Sequence, residues 1–179
     1  MSDVLARNRL TEERKALARD RPLGSWAKPS KKADGSIDLF KWYFGIKPKD
    51  DSIYALPNNG TFRVRVEFRE TYPTSPPLCF FDPPIFHTNV WPGTGAVCLS
   101  LLLEPGHHPG AGHHGFWQAG RSFTDIINSL CAFLEDPNPS SVANAEACTM
   151  FKRGKSEYAS EVRRNLASYP ARLAAASSK

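Results

Sequence analysis

The sequence predicts an α+β domain, and three observations point to it. Four short segments rich in aromatic and β-branched residues fill the first half, separated by short polar turns. The second half changes to apolar residues spaced three and four apart. A basic segment of helical character precedes both.

Taken in order, Ser2 and Asp3 suit the cap of a first helix running to about Arg21, which Pro22 and Gly24 end. Leu10 and Leu17 lie two turns apart with Ala6 and Glu13 in phase, so the apolar stripe is thin. Arg14, Lys15 and Arg19 fall away from it and form an exposed basic side fit for docking. GSWAKP reads as a short strand, and ADGS (Ala33 to Ser36) as the turn before the strand IDLFKWYFGI. In TFRVRVEF, Phe62, Val64, Val66 and Phe68 alternate with Arg63, Arg65 and Glu67, which predicts one oily and one wet sheet face. LCFF, Leu78 to Phe81, completes a four-stranded antiparallel meander.

An irregular loop carrying Cys98 follows. Phe123, Ile126, Ile127, Leu130, Phe133 and Leu134 then share one helical face, with Ser122 as the cap and Pro137 and Pro139 as the stop. Two more helices follow, broken at Gly154. The expected organisation is a single domain over residues 1–179, with a His/Gly/Pro-rich loop insertion at about 104–116 and a short flexible tail at about 170–179.

At 179 residues the chain is long enough to bury a core without covalent staples. No apolar run reaches membrane-spanning length, so no membrane partner is expected. The N-terminus lacks the oily centre of a secretory signal, which suggests an intracellular setting. A formal net charge of +5 permits nucleic acid or acidic proteins as partners, but no recognised nucleic-acid module is present, so nucleic acid is not expected. The four cysteines are widely spaced, which argues for free thiols. No metal is expected either. Only His107/His108 and His113/His114 are closely spaced, and no carboxylate or cysteine stands at matching distance.

Cys79, Cys131 and Cys148 sit in apolar contexts and read as small buried hydrophobes. Cys98 differs. Pro92, Gly93 and Gly95 impose an irregular backbone just before it, the kind of setting in which loops carry function. Asn89 supplies an amide able to donate to a developing oxyanion, and His87 is the obvious candidate base. A thiol that receives an acyl group from another thioester needs a weaker base than amide hydrolysis does.

The run YPTSPP (Tyr72 to Pro77), then FDPPIFHTNV, then VCLSLL, then Trp117 resembles the ubiquitin-conjugating (E2) family in kind and order, and the resemblance extends from about Arg9 to Tyr169. It implies the E2 (UBC-like) fold. RLTEERKAL, DGSIDLFKWYFGI, CLSLL, EDPN and ANAEA resemble the SUMO-conjugating branch in particular, and Ser100 stands where ubiquitin-specific members usually carry Asp.

The resemblance implies a transferase. Cys98 is then the nucleophile that takes SUMO as a thioester from the E1 activating enzyme, before a substrate lysine attacks to form an isopeptide bond. Asn89 stabilises the oxyanion or holds the loop, His87 braces the loop, and Trp91 lies beside the incoming lysine. Arg14, Lys15 and Arg19 form the surface for the modifier and the activating enzyme. No cofactor is implied, since ATP is used by the activating enzyme. E3 ligases and substrate proteins are the remaining partners, in the nucleus and cytoplasm.

Four departures stand out. Thr88 replaces a proline, and the stretch from Asn89 to Cys98 is one residue longer. Ser141 takes the place of the acidic residue that orients the lysine, for which Glu135 or Asp136 can compensate if the loop folds back. Leu78 and Phe80 stand where the SUMO-conjugating branch has lysines, which predicts a weak preference for an acid after the target lysine. The loop before Trp117 is the fourth. Two other readings remain at this point: a conjugating enzyme for ubiquitin or another modifier, and an E2-like scaffold that binds a modifier without a thioester.

Overall fold

The computed structural model describes residues 2–22, 24–104 and 116–177, so the His-rich loop lies outside the described residues except at its two ends. Helix α1 spans Ser2–Arg19. Strands β1 (Trp26–Lys31), β2 (Ile37–Ile46), β3 (Phe62–Glu67) and β4 (Leu78–Phe81) form one antiparallel sheet in sequence order. The expected meander is present. Helices α2 (Phe123–Glu135), α3 (Ala145–Arg153), α4 (Lys155–Ala167) and α5 (Tyr169–Ser177) follow.

Alternation decides which sheet face is covered. Trp42, Phe44 and Ile46 of β2, Phe62, Val64 and Val66 of β3, and Cys79 and Phe81 of β4 are all buried. The α2 stripe meets this face through aromatic rings. Phe123 lies 5.0 Å from Trp42 and 5.0 Å from Phe68, and Phe133 stacks on Phe81 at 6.3 Å. Each fully buried side chain of this size contributes about 1.5–3 kcal/mol relative to an exposed one. Ser122 caps α2 through a reciprocal box with Asp125, as its position in the sequence predicts.

Helix α1 is bolted to the body rather than resting on it. Ala6, Leu10 and Leu17 are buried, and so is Glu13. The Glu13 carboxylate accepts from Arg9 Nε at 2.8 Å and from the Phe123 backbone N–H at 3.0 Å. Arg9 also donates to the carbonyls of Ala119 (3.1 Å) and Arg121 (2.7 Å). An acid in the apolar phase of α1 thus serves the open amides at the start of α2, where negative charge is favoured.

The expected flexible tail is corrected. Residues 169–177 form α5, because Tyr169 is buried against Phe62 at 5.0 Å and its hydroxyl accepts from the Arg63 N–H at 2.9 Å. Arg172 donates to the Pro84 carbonyl at 2.6 Å, and the alanines that follow favour helix. The break at Gly154 is present, with extended backbone there at φ 170. Among the described residues, no helix is long and apolar enough to cross a membrane.

Candidate functional site

The chain after β4 returns as a hairpin that extends the sheet. Phe81 N donates to Gly95 O at 2.8 Å and Val97 N to Cys79 O at 2.9 Å, so residues 95–97 pair with β4. Val90 pairs with Val97 inside the hairpin, and Cys98 N donates to Asn89 O at 2.9 Å. Between Asn89 and Cys98 the chain turns at 92–94, where Gly95 N closes onto Trp91 O at 2.8 Å. Asn89 and Cys98 therefore face each other across the hairpin. Gly95 has a positive φ of 75°, and a Cβ on it would lie 2.0 Å from Phe81 O; only glycine lets the strands approach this closely.

Cys98 is partly exposed and lines an open groove of about 940 Å³ together with Asn89, Trp91, Asp136, Ser141 and Val142. Its apolar wall includes Leu99, Leu101, Leu103 and Phe116. Of the other thiols, Cys148 is buried and Cys131 is partly exposed. Cys79 is buried, and burial pushes its thiol well above the ordinary range; burial also raises that of Cys131. Cys98 Sγ lies 3.1 Å from Ser141 Oγ.

Asn89 is 1 % exposed and fully committed. Its Nδ2 donates to the carbonyls of Asn138 at 2.7 Å and Ser141 at 2.5 Å, while Oδ1 accepts from Asn138 N at 2.8 Å. Both amide protons thus stitch the 136–144 loop to the hairpin and are not aimed into the groove. Thr88 strengthens the same seam, because its carbonyl accepts from Ala143 N at 3.0 Å and Asn144 N at 2.9 Å. The threonine in place of proline leaves Asn89 firmly held.

His87 lies behind this seam, fully buried and stacked on Phe133 at 4.3 Å. Nδ1 accepts from Asn89 N at 3.0 Å, so the proton sits on Nε2, which faces the Phe133 carbonyl at 3.2 Å. Burial lowers its pKa to about 3, although the bond to Phe133 opposes the shift. A neutral ring with both nitrogens engaged is a brace.

Cys98, Asn89, Trp91 and Ser141 thus come together at one groove, and His87 supports it from the core. Arg14, Lys15 and Arg19 are exposed on α1 and do not line it. Glu135 points elsewhere, accepting from Lys49 N at 3.4 Å, whereas Asp136 lines the groove. Asn138 and Val142 have no place among the sequence candidates; the proline-punctuated run DPNPSSV was the signal that a shaped loop follows α2. Trp117 explains one spacing in the motif set: its Nε1 donates to Pro73 O at 2.7 Å and its ring lies 5.9 Å from Tyr72, tying YPTSPP to the chain after the His-rich loop.

Comparison with known proteins agrees with this geometry. The family described as ubiquitin-conjugating enzyme matches residues 9–166. The SUMO-conjugating enzyme UBC9 of Caenorhabditis elegans is 37% identical over 169 residues, 94% of each chain. The Sumo-conjugating enzyme ubc9 of Dictyostelium discoideum is 35% identical over 162 residues, covering 90% of this chain and 94% of its own. With the meander, the braced hairpin and a cysteine on an open groove, the chain belongs to the ubiquitin-conjugating enzyme family.

Proposed function

We propose that this protein is a SUMO-conjugating E2 enzyme that carries its modifier as a thioester on Cys98. The observation that carries the reading is a partly exposed Cys98 on a groove whose loop is fixed by Asn89, in a chain similar over most of its length to two SUMO-conjugating enzymes.

In the first step the Cys98 sulfur attacks the modifier's C-terminal carbonyl on the activating enzyme. The new S–C bond forms, the old one breaks, and the Cys98 proton ends on the departing thiolate. In the second, a neutral substrate lysine attacks the same carbon; the N–C bond forms, the C–S bond breaks, and the proton lost by nitrogen neutralises the released thiolate. His87 takes no part in moving these protons, because it is buried and held neutral. Asn89 holds the loop. Asp136, the one charged residue among the described residues of the groove, draws in the lysine ammonium, and Ser141 supplies a hydroxyl beside the sulfur. Trp91, 52% exposed, offers its face to the lysine stem.

Arg14, Lys15 and Arg19 present the basic surface for the modifier and the activating enzyme, with E3 ligases and substrate proteins as further partners. Nuclear and cytoplasmic residence belongs to the same proposal. ATP is spent on the activating enzyme, and this chain needs no cofactor of its own. The test is incubation with activating enzyme, ATP and SUMO followed by a non-reducing gel. A band that reductant removes is expected for the parent, and a reductant-resistant ester or no band for Cys98→Ser. Loading of ubiquitin by its own activating enzyme, and not of SUMO, would reassign the modifier.

A further inference from the structure

Two exposed apolar side chains share the groove with Cys98, and a third lies on the neighbouring strand. Trp91 (52% exposed) comes from the hairpin and Val142 (45%) from the loop after α2. Leu78 (40%) comes from β4. Phe80 pairs antiparallel with Ala96, so Leu78, two residues back along β4, lies toward the end of the hairpin that carries Cys98. Large side chains that could turn inward are normally covered, and a cluster of exposed ones around a nucleophile marks a contact surface.

Charge narrows what this surface accepts. Among the described residues lining the groove, Asp136 is the only charged side chain. Next to Leu78, Phe80 is capped by the Arg65 guanidinium 4.2 Å from its ring centre, and Arg65 is ion-paired with Glu67. Among the described residues lining the groove, an acid beside the target lysine would therefore meet no cation and would face the charge of Asp136.

We infer that the acceptor segment is a lysine flanked by large apolar residues, read by Leu78, Trp91 and Val142, with acidic flanks disfavoured. The inference rests on the thioester reading above and names its substrate class. In an extended acceptor, residues two before and two after the lysine point the same way as the lysine itself, so those positions meet the rim.

The test is single-turnover discharge of the SUMO-charged full-length enzyme onto peptides that differ only at those two positions, carrying Leu, Ala or Glu. Leu is expected to react at least threefold faster than Glu. Leu78→Lys is expected to move the Leu-to-Glu rate ratio at least threefold toward Glu. The ratio is read within each protein on molecules already charged, so a loss of folded enzyme cancels. A parent that prefers Glu or treats both alike, or a ratio unmoved by Leu78→Lys, overturns the inference while the visible charging leaves the proposed function standing. Failure to charge with any modifier overturns both.

Discussion

The Sγ of Cys98 and the Oγ of Ser141 lie 3.1 Å apart, across the seam that joins the hairpin to the loop after α2. A hydroxyl can donate to sulfur in any charge state, whereas a carboxylate there repels a thiolate. Ser141→Asp is expected to slow alkylation of Cys98 by iodoacetamide at neutral pH by about tenfold, a change of about 1.4 kcal/mol. Mass spectrometry of the Cys98 peptide over time measures it, and an unchanged rate would mean the two side chains do not meet in solution.

Asn89 makes three side-chain hydrogen bonds to the backbone of Asn138 and Ser141. Asn89→Ala leaves those groups without their partner, which costs about 1–3 kcal/mol. Urea unfolding is expected to show this loss together with slower lysine transfer. Were the amide aimed only at an oxyanion, transfer would fall and stability would not.

His87 makes folding pH-dependent. Its folded pKa of about 3 lies below the unfolded value of 6.5, so folding favours the neutral ring. Its contribution is complete above about pH 6.5 and is lost as pH falls toward 3, by up to about 1.4 kcal/mol per unit. Unfolding free energies between about pH 6 and 4 should fall one proton more steeply for the parent than for His87→Gln. Equal slopes would contradict the buried neutral ring.

Gly95→Ala tests the hairpin. Its positive φ of 75° and the 2.0 Å approach to Phe81 O leave no room for a methyl group. The variant should lose about 1–3 kcal/mol and most of its Cys98 charging. Thermal unfolding and the non-reducing gel read the two effects separately.

Asp136→Asn removes the groove's one charged side chain among the described residues. Discharge onto free lysine, relative to charging, should fall about fivefold, as expected for roughly 1 kcal/mol of lost attraction. A salt titration of the parent should approach the same value.

The strands and the α2 stripe were legible because their signals are local: alternation in TFRVRVEF and helical spacing from Phe123 to Leu134. Cys98 stood out for a local reason too, the glycines and proline before it. What escaped depends on partners far along the chain. Glu13 reads as a gap in an apolar stripe until Phe123, 110 residues on, supplies the N–H it accepts from. Tyr169 reads as the edge of a tail until Arg63 and Phe62 are seen against it. The commitment of Asn89 to a backbone seam is equally invisible, since an oxyanion donor and a loop brace use the same amide.

The hairpin has one more effect. Without residues 95–97 on it, β4 would end the sheet with a row of bare N–H and C=O groups beside exposed Leu78. Such an unprotected margin invites self-association between molecules. The segment that carries Cys98 is thus also a guard rail for solubility, and loosening it would favour clumping.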